Sequence, residues 1–161
     1  MNARRLAWVL AVATASPATA ARTETLKAGA AAVEITPPTG VGMYGFANRK
    51  QGATGVRDPL TARVLVLEAG ERRLGLVALD LGKPPARDWI SALRRGAART
   101  SGLSYVLVAA THTHSGPRMR DEYPPEQAPD WETPMLEKVG RALDEAHRHA
   151  VEARVGVGYG S

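Results

Sequence analysis

The chain has 161 residues, of which 44% are hydrophobic and 23% charged, and it contains no cysteine. This composition is typical of one globular domain and not of a disordered chain, and the lack of cysteine excludes a disulfide scaffold and a zinc site built on thiolates. The formal charge of +5 falls to about +3 without Arg4 and Arg5, and the other basic residues are dispersed. We therefore expect no nucleic-acid partner.

The N-terminus predicts export. Arg4 and Arg5 precede a mostly apolar stretch, residues 6–15, and residues 18–20 (Ala-Thr-Ala) fit a small-x-small cleavage site. We predict a signal peptide over residues 1–21, a mature domain over residues 22–161, and a secreted or periplasmic location. No later stretch is long and apolar enough to predict a transmembrane segment.

Residues 28–36 have the composition of a strand, which ends in the turn Pro37-Pro38. Residues 60–68 and 74–80 are rich in strand-forming residues and are separated by five turn-forming residues, so they predict a hairpin. Between these strands, residues 41–56 contain four glycines together with Tyr44 and Phe46. Such a segment can approach a ligand closely, but its glycine content alone favours a flexible surface connection.

A helix is predicted from Pro84 or Pro85 to about Arg99, ended by Gly102. Its apolar stripe consists of Trp89, Ile90, Leu93 and Ala97. The order of strand, helix and strand over residues 74–110 predicts a βαβ unit with parallel strands. The fold class is therefore α/β, with a mixed sheet and packed helices.

Residues 111–117 read Thr-His-Thr-His-Ser-Gly-Pro and follow the apolar strand of residues 105–110. If the strand continues to His114, its period of two places His112 and His114 on one face, about 7 Å apart. Two imidazoles placed in this way can bind a metal ion, transfer a proton, or divide these tasks. The alternative is that they are ordinary polar residues at a strand end.

Asp80 ends the strand that is predicted to lie parallel to the histidine strand, and ligands of α/β proteins bind at that edge of the sheet. It is our first candidate for a carboxylate that orients an imidazole or binds a metal ion. The alternative is a turn-forming role before Gly82.

Residues 118–130 predict a loop that could form a wall of the site. A helix is predicted from about Thr133, as its cap, to about Ala150. His147 and His149 lie about 200° apart around that helix, so we assign them structural roles. Residues 154–159 predict a final strand.

In this order, several motifs resemble the N-terminal part of the neutral/alkaline non-lysosomal ceramidase family. They are Val33-Glu34-Ile35-Thr36-Pro37-Pro38, Gly42-Met43-Tyr44-Gly45, Arg57-Asp58-Pro59-Leu60-Thr61-Ala62-Arg63, Ala78-Leu79-Asp80-Leu81 and, most specifically, residues 111–117. The resemblance implies a partial version of the larger catalytic domain of that family. It also implies a Zn²⁺-dependent amidohydrolase, which cleaves the N-acyl amide of ceramide to sphingosine and a fatty acid, and the predicted signal peptide adds that this enzyme is exported.

The resemblance further implies that His112 is a zinc ligand and that His114 is a catalytic residue beside it. Apart from the resemblance, Asp80 and Asp58 are possible carboxylates of the outer shell. Many members have a histidine where this chain has Arg57. The family domain also continues for several hundred residues, and its further His, Glu and Tyr ligands have no counterparts here. By this resemblance the chain is incomplete as a zinc enzyme.

Two alternatives stay open at this point. The chain could be a truncated, non-catalytic relative that serves as a binding or interaction module. It could also be a small metal-dependent hydrolase that completes its site with Asp80 or Asp58, or across a dimer. The oligomeric state is not predictable from these patterns.

Overall fold

The computed structural model describes residues 24–127 and 129–160. The predicted signal peptide lies outside this range. A five-stranded sheet contains β1 (Leu26–Glu34), β2 (Thr61–Ala69), β3 (Arg72–Leu79), β4 (Tyr105–Ala110) and β5 (Val151–Glu152), in the order β4-β3-β2-β1-β5.

The strand pairing confirms the predicted hairpin and the predicted βαβ unit. β2 and β3 pair antiparallel around Gly70, whereas β3 and β4 pair parallel with Leu79 opposite Ala110. The other pairings among the described strands, β1 with β2 and β1 with β5, are antiparallel. This is the mixed α/β sheet that the sequence predicts.

Two helices accompany the sheet. The first, α1 (Arg87–Ser101), ends at Gly102, which has a left-handed backbone (φ 62°), as predicted. The second, α2 (Glu132–Arg148), begins one residue before Thr133 and has Trp131 at its N-cap, so the predicted Thr133 cap is wrong. No helix in the described part of the chain is long and apolar enough to cross a bilayer.

One face of the sheet is covered by the helices, because α2 packs on β1 and β2 while α1 packs on β4 and α2. We call it the covered face. Its side chains form the core and are almost fully buried: Ala62, Val64, Val66, Val77, Leu79 and Val106. Burial of this apolar surface is the main force holding the layers together.

The opposite face, which we call the open face, carries the alternate residues of the same strands. Its side chains are half-buried or exposed: Ala30, Leu65, Leu67, Leu74, Leu76, Tyr105 and Leu107. Since strand residues alternate between faces, the sheet is apolar on both sides.

The C-terminal segment departs from the prediction. Residues 153–160 form no strand in the structure, and Val155, Val157 and Tyr159 are 68%, 77% and 98% exposed. Their alternating pattern has strand propensity, but a strand also requires a hydrogen-bonding neighbour. The predicted strand over residues 154–159 is therefore wrong within the described chain.

Candidate functional site

The carboxyl ends of β3 and β4 lie at one edge of the sheet, and residues 111–117 begin there. Two further hydrogen bonds continue the pairing beyond Ala110, from the Thr111 amide to the Leu79 carbonyl (2.9 Å) and from the Thr113 amide to the Leu81 carbonyl (3.2 Å). His112 has a positive φ of 61°, which is not a strand conformation. The expectation that the strand reaches His114 is wrong.

The two imidazoles nevertheless converge. The ring centroids of His112 and His114 are 5.1 Å apart, with an angle of 73° between the ring planes. Both residues are exposed to solvent. The turn at His112, rather than the strand period, places the rings on the same side, where both can reach one ligand.

The ring of His112 is oriented by a backbone carbonyl. Its Nδ1 lies 2.7 Å from the carbonyl oxygen of Gly82. A carbonyl can only accept a hydrogen bond, so Nδ1 carries the proton and Nε2 of the neutral ring keeps its lone pair. This arrangement is the one commonly found at metal-binding histidines.

The glycine-rich segment, residues 41–56, packs against this pair, which corrects the expectation of a flexible surface connection. The Tyr44 amide donates to the Gly116 carbonyl (2.9 Å), and the Arg118 amide donates to the Gly42 carbonyl (2.7 Å). The Tyr44 ring meets those of His112 and His114 edge-on, at centroid distances of 5.9 and 5.5 Å.

Glycines allow these close contacts. A Cβ on Gly82 would collide with the Tyr44 ring, and one on Gly45 would lie 2.5 Å from Nδ1 of His114. Gly45 also has a φ of 74°, a conformation that residues with side chains rarely adopt. The positions of both imidazoles therefore depend on glycines that are distant from them in the sequence.

Phe46 and Arg49 complete the contacts around His114. The Phe46 ring is edge-on to His114 at 5.2 Å, and the Arg49 guanidinium lies 5.0 Å from the centre of the Phe46 ring. Nη1 of Arg49 donates to the His114 carbonyl (3.0 Å). Arg49 thus links the glycine-rich segment to the backbone of the histidine motif.

The histidine motif separates two cavities. His112 and His114 line an open cleft of about 680 Å³, which also contains Arg49, Lys50, Arg118 and Glu122. Thr113 and Ser115 line a second cavity of about 480 Å³ together with Asp58 and Asp80. The cleft of the imidazoles therefore carries an excess of positive charge, while the two candidate carboxylates face the other cavity.

Asp80 is held by groups other than the histidines. Its Oδ2 accepts hydrogen bonds from the Thr61 hydroxyl (2.6 Å) and amide (3.0 Å), and the Arg63 guanidinium lies 3.3 Å away. Partial burial raises the pKa of Asp80, but the Thr61 hydrogen bonds and the Arg63 charge outweigh it, and the net pKa is below the usual value. A role for Asp80 in orienting an imidazole stays a prediction.

The remaining candidates do not join the pair. Asp58 and Arg57 are exposed, and Oδ2 of Asp58 lies 4.0 Å from Nε of Arg57. His147 contacts Glu68 (2.5 Å), near the hairpin end of β2 and away from the histidine edge. Among residues 24–127 and 129–160, no group of three or more His, Cys, Asp or Glu side chains could hold a metal ion. The described chain does not itself complete a site with Asp80 or Asp58.

Sequence reasoning missed the roles of Gly82 and Arg49 and gave Tyr44 only a general one. These residues lie some 30 to 70 positions from His112 and His114, and no local spacing connects them. The available signal was the pair Tyr44-Gly45 inside a glycine-rich segment. Glycines there indicate that the backbone comes close to another part of the protein, but they do not indicate which part.

The fold and the site together define this protein as part of an α/β domain that carries paired imidazoles at the carboxyl edge of a mixed sheet. No protein-family model matches the chain. It is 36% identical to neutral ceramidase 3 of Arabidopsis thaliana over 94 residues, 55% of this chain and 13% of that protein. It is 39% identical to the neutral ceramidase of Pseudomonas aeruginosa over 82 residues, 48% and 12% of the respective chains.

The solved structure of the Pseudomonas aeruginosa neutral ceramidase matches with a TM-score of 0.66 at 25% identity, covering 80% of this chain and 22% of that one. The fold is thus that of part of a neutral ceramidase domain, and the chain is a relative of the neutral ceramidases. It spans about an eighth of the length of the curated relatives. The comparisons do not favour the alternative of a non-catalytic binding module.

Proposed function

We propose that this chain is the histidine-bearing part of an exported, zinc-dependent amidohydrolase of the neutral ceramidase type. Its proposed substrate is a lipid amide such as ceramide, which is hydrolysed to a long-chain amine and a fatty acid. The kinship with neutral ceramidases supports the reaction class, and the predicted signal peptide supports export. Fold similarity alone would not carry this proposal, because one fold hosts many functions.

The observation that carries the proposal is the convergence of the His112 and His114 rings at the sheet edge, with Nδ1 of His112 bonded to the Gly82 carbonyl. That bond leaves Nε2 of His112 as the nitrogen that can bind zinc. Open exposure of both rings lets a substrate approach them.

The imidazole nitrogens are suitable ligands for zinc, but the described residues supply fewer ligands than a catalytic zinc site needs. Catalytic zinc usually has three protein ligands and one open position. His112 would supply one of these ligands, and the others would come from polypeptide outside the described residues. When bound, zinc would polarise the carbonyl of the scissile amide and lower the pKa of a bound water.

His114 has the proposed task of moving a proton. Its ring is 5.1 Å from that of His112, so it would lie beside the reacting amide. An imidazole there can act as a general acid, delivering a proton from a ring nitrogen to the leaving amine nitrogen. Gly45 and Phe46 pack against the ring, and these contacts restrict its orientation.

A chimera tests both roles. Residues 24–160 of this chain replace the matching segment of the Pseudomonas aeruginosa neutral ceramidase, and zinc content and ceramide hydrolysis are measured. We expect His112→Ala to remove zinc and activity together. We expect His114→Ala to retain zinc while hydrolysis falls by about 10²- to 10⁴-fold, the usual contribution of a general acid.

His149→Ala is the matched control, since His149 is an exposed histidine after α2 and should affect neither quantity. Normal zinc content in the His112→Ala chimera would refute the ligand assignment. Tight stoichiometric zinc binding and ceramide turnover by the 161-residue chain alone would refute the view that its site is incomplete.

A further inference from the structure

The cleft of the paired imidazoles carries more positive than negative charge. Its ionic side chains are those of Arg49, Lys50, Arg118 and Glu122. Arg118 is already engaged, because its guanidinium donates to the Glu122 carbonyl and lies 4.7 Å from the centre of the Tyr123 ring. Arg49 and Lys50 are both exposed, and among the described residues no carboxylate oxygen lies within 4.0 Å of either cation. These two cations can therefore bind an anionic ligand in the cleft.

Arg49 is held in place by neutral groups. Its Nη1 donates to the carbonyl oxygens of His114 (3.0 Å) and Tyr44 (3.4 Å), and its guanidinium lies over the Phe46 ring. These contacts restrict the side chain without neutralising its charge. A guanidinium has further N–H donors in a planar fork, which matches the two oxygens of a carboxylate. An ordinary solvated arginine has no such fixed position.

The position of Arg49 relates its charge to one half of the substrate. Arg49 is bonded to the main chain of His114, the residue that we propose protonates the leaving amine nitrogen. The cation therefore lies on the side of the cleft where the amine part of the amide would be. The amine part of ceramide is uncharged and gives this cation no ionic partner.

We propose that Arg49, assisted by Lys50, binds a carboxylate on the amine part of the substrate, so that the preferred substrate is an N-acyl amino acid. This inference rests on the proposed amide hydrolysis and narrows its substrate. The reaction is the addition of water to the acyl carbon and cleavage of the C–N bond. The amine nitrogen takes up a proton, and the products are a fatty acid and the amino acid.

Binding is tested first without catalysis, by NMR on the 161-residue chain. N-acetylglycine and its uncharged analogue N-acetylethanolamine are titrated separately, and the shifts of the His114 ring and of the Arg49 Nε–H signal are followed. We expect N-acetylglycine to bind about 5- to 10-fold more tightly, since an exposed charge-assisted contact is of modest strength. Added salt should reduce the difference. Arg49→Gln should abolish it, whereas Arg95→Gln, which removes an exposed arginine of α1, should preserve it.

Kinetics of the chimera with the Pseudomonas aeruginosa neutral ceramidase provide the second measurement. The substrates are N-lauroylglycine and the uncharged N-lauroylethanolamine. We expect Arg49→Gln to lower kcat/KM about 5- to 10-fold for N-lauroylglycine, mainly through KM, and to change it less than about twofold for N-lauroylethanolamine. Arg49→Lys should restore part of the loss, because it keeps the charge without the fork. Equal losses for both substrates would show that Arg49 only positions His114 and would overturn the proposal.

The outcomes separate this inference from the proposed hydrolysis. Ceramide and N-lauroylethanolamine cleaved as well as N-lauroylglycine, with no selective binding of N-acetylglycine, would refute the carboxylate site and leave the hydrolysis standing. Selective binding of N-acetylglycine by a chimera that cleaves no amide would support the carboxylate site and refute the hydrolysis. Acetate that binds as tightly as N-acetylglycine would assign the site to the fatty-acid product and overturn its placement on the amine part.

Discussion

The two faces of the sheet are built from the same strands and differ in what lies on them. Val77 and Leu79 on the covered face are 3% and 0% exposed, whereas their neighbours Leu76 and Ala78 on the open face are only partly buried. Hydrophobicity alone therefore does not define the core of this chain. A side chain contributes fully to stability only where another layer excludes water from it.

The largest expected difference in stability between the faces comes from introducing a lysine at one or the other of two adjacent residues of β3. Val77→Lys buries an unpaired ammonium beneath the helices, which costs several kcal/mol, comparable to the whole stability of a small domain. Leu76→Lys keeps its charge in water and should change stability by about 1 kcal/mol or less. Far-UV circular dichroism and urea unfolding should show an unfolded first variant and a folded second one; two folded variants would contradict the distinction between faces.

A smaller difference is expected from truncating leucines. Leu79→Ala leaves a cavity in the covered core and should lower the free energy of unfolding by about 3 kcal/mol. Leu67→Ala on the open face loses less buried area, so about 1 kcal/mol is expected. Urea denaturation of both variants measures the difference. Equal losses would show that a layer already covers the open face in the chain by itself.

The smallest expected effects come from one carboxyl group on each side of the sheet. Burial raises the pKa of Glu132 above 4.5, against the hydrogen bond from the Arg120 amide, because its charged form is poorly solvated near α1. Its charge therefore lowers stability as the pH rises through 4.5. Glu132→Gln should be more stable than the parent chain near neutral pH, with the advantage disappearing below about pH 4.

Asp80, at the end of the open face, should behave in the opposite way. Its net pKa is below 3.8, so the ionised form stabilises the fold above that pH, and the contribution is lost as the pH falls through 3.8 and the lower folded value. Asp80→Asn should be less stable than the parent near neutral pH and equal to it in strong acid. Urea unfolding at about pH 7 and about pH 3 checks both signs, and shifts of the same sign in the two variants would contradict these assignments.

Much of the fold was predictable because its signals are local. The stripe of Trp89, Leu93 and Ala97 gave the buried side of α1, and the turn residues between β2 and β3 gave the hairpin. The apolar runs of β3 and β4, separated by a helix, gave their parallel pairing. Each of these features depends on neighbours within one or two elements.

The failures have non-local causes. The strand predicted for residues 154–159 has suitable side chains but no neighbouring strand in the described chain. The predicted reason for the convergence of the histidines was also wrong, because His112 has a φ of 61° and is therefore not in a strand conformation. What places the rings is contact with Gly45, Tyr44 and Gly82, and sequence spacing does not reveal such contacts.

The Gly82 carbonyl has one further consequence. Since the acceptor for Nδ1 of His112 belongs to the main chain, no side-chain replacement at position 82 deletes it. A replacement there acts instead through steric conflict with Tyr44. Substitution of the polar side chains around this histidine would therefore leave the acceptor for Nδ1 in place, and with it the tautomer of the neutral ring.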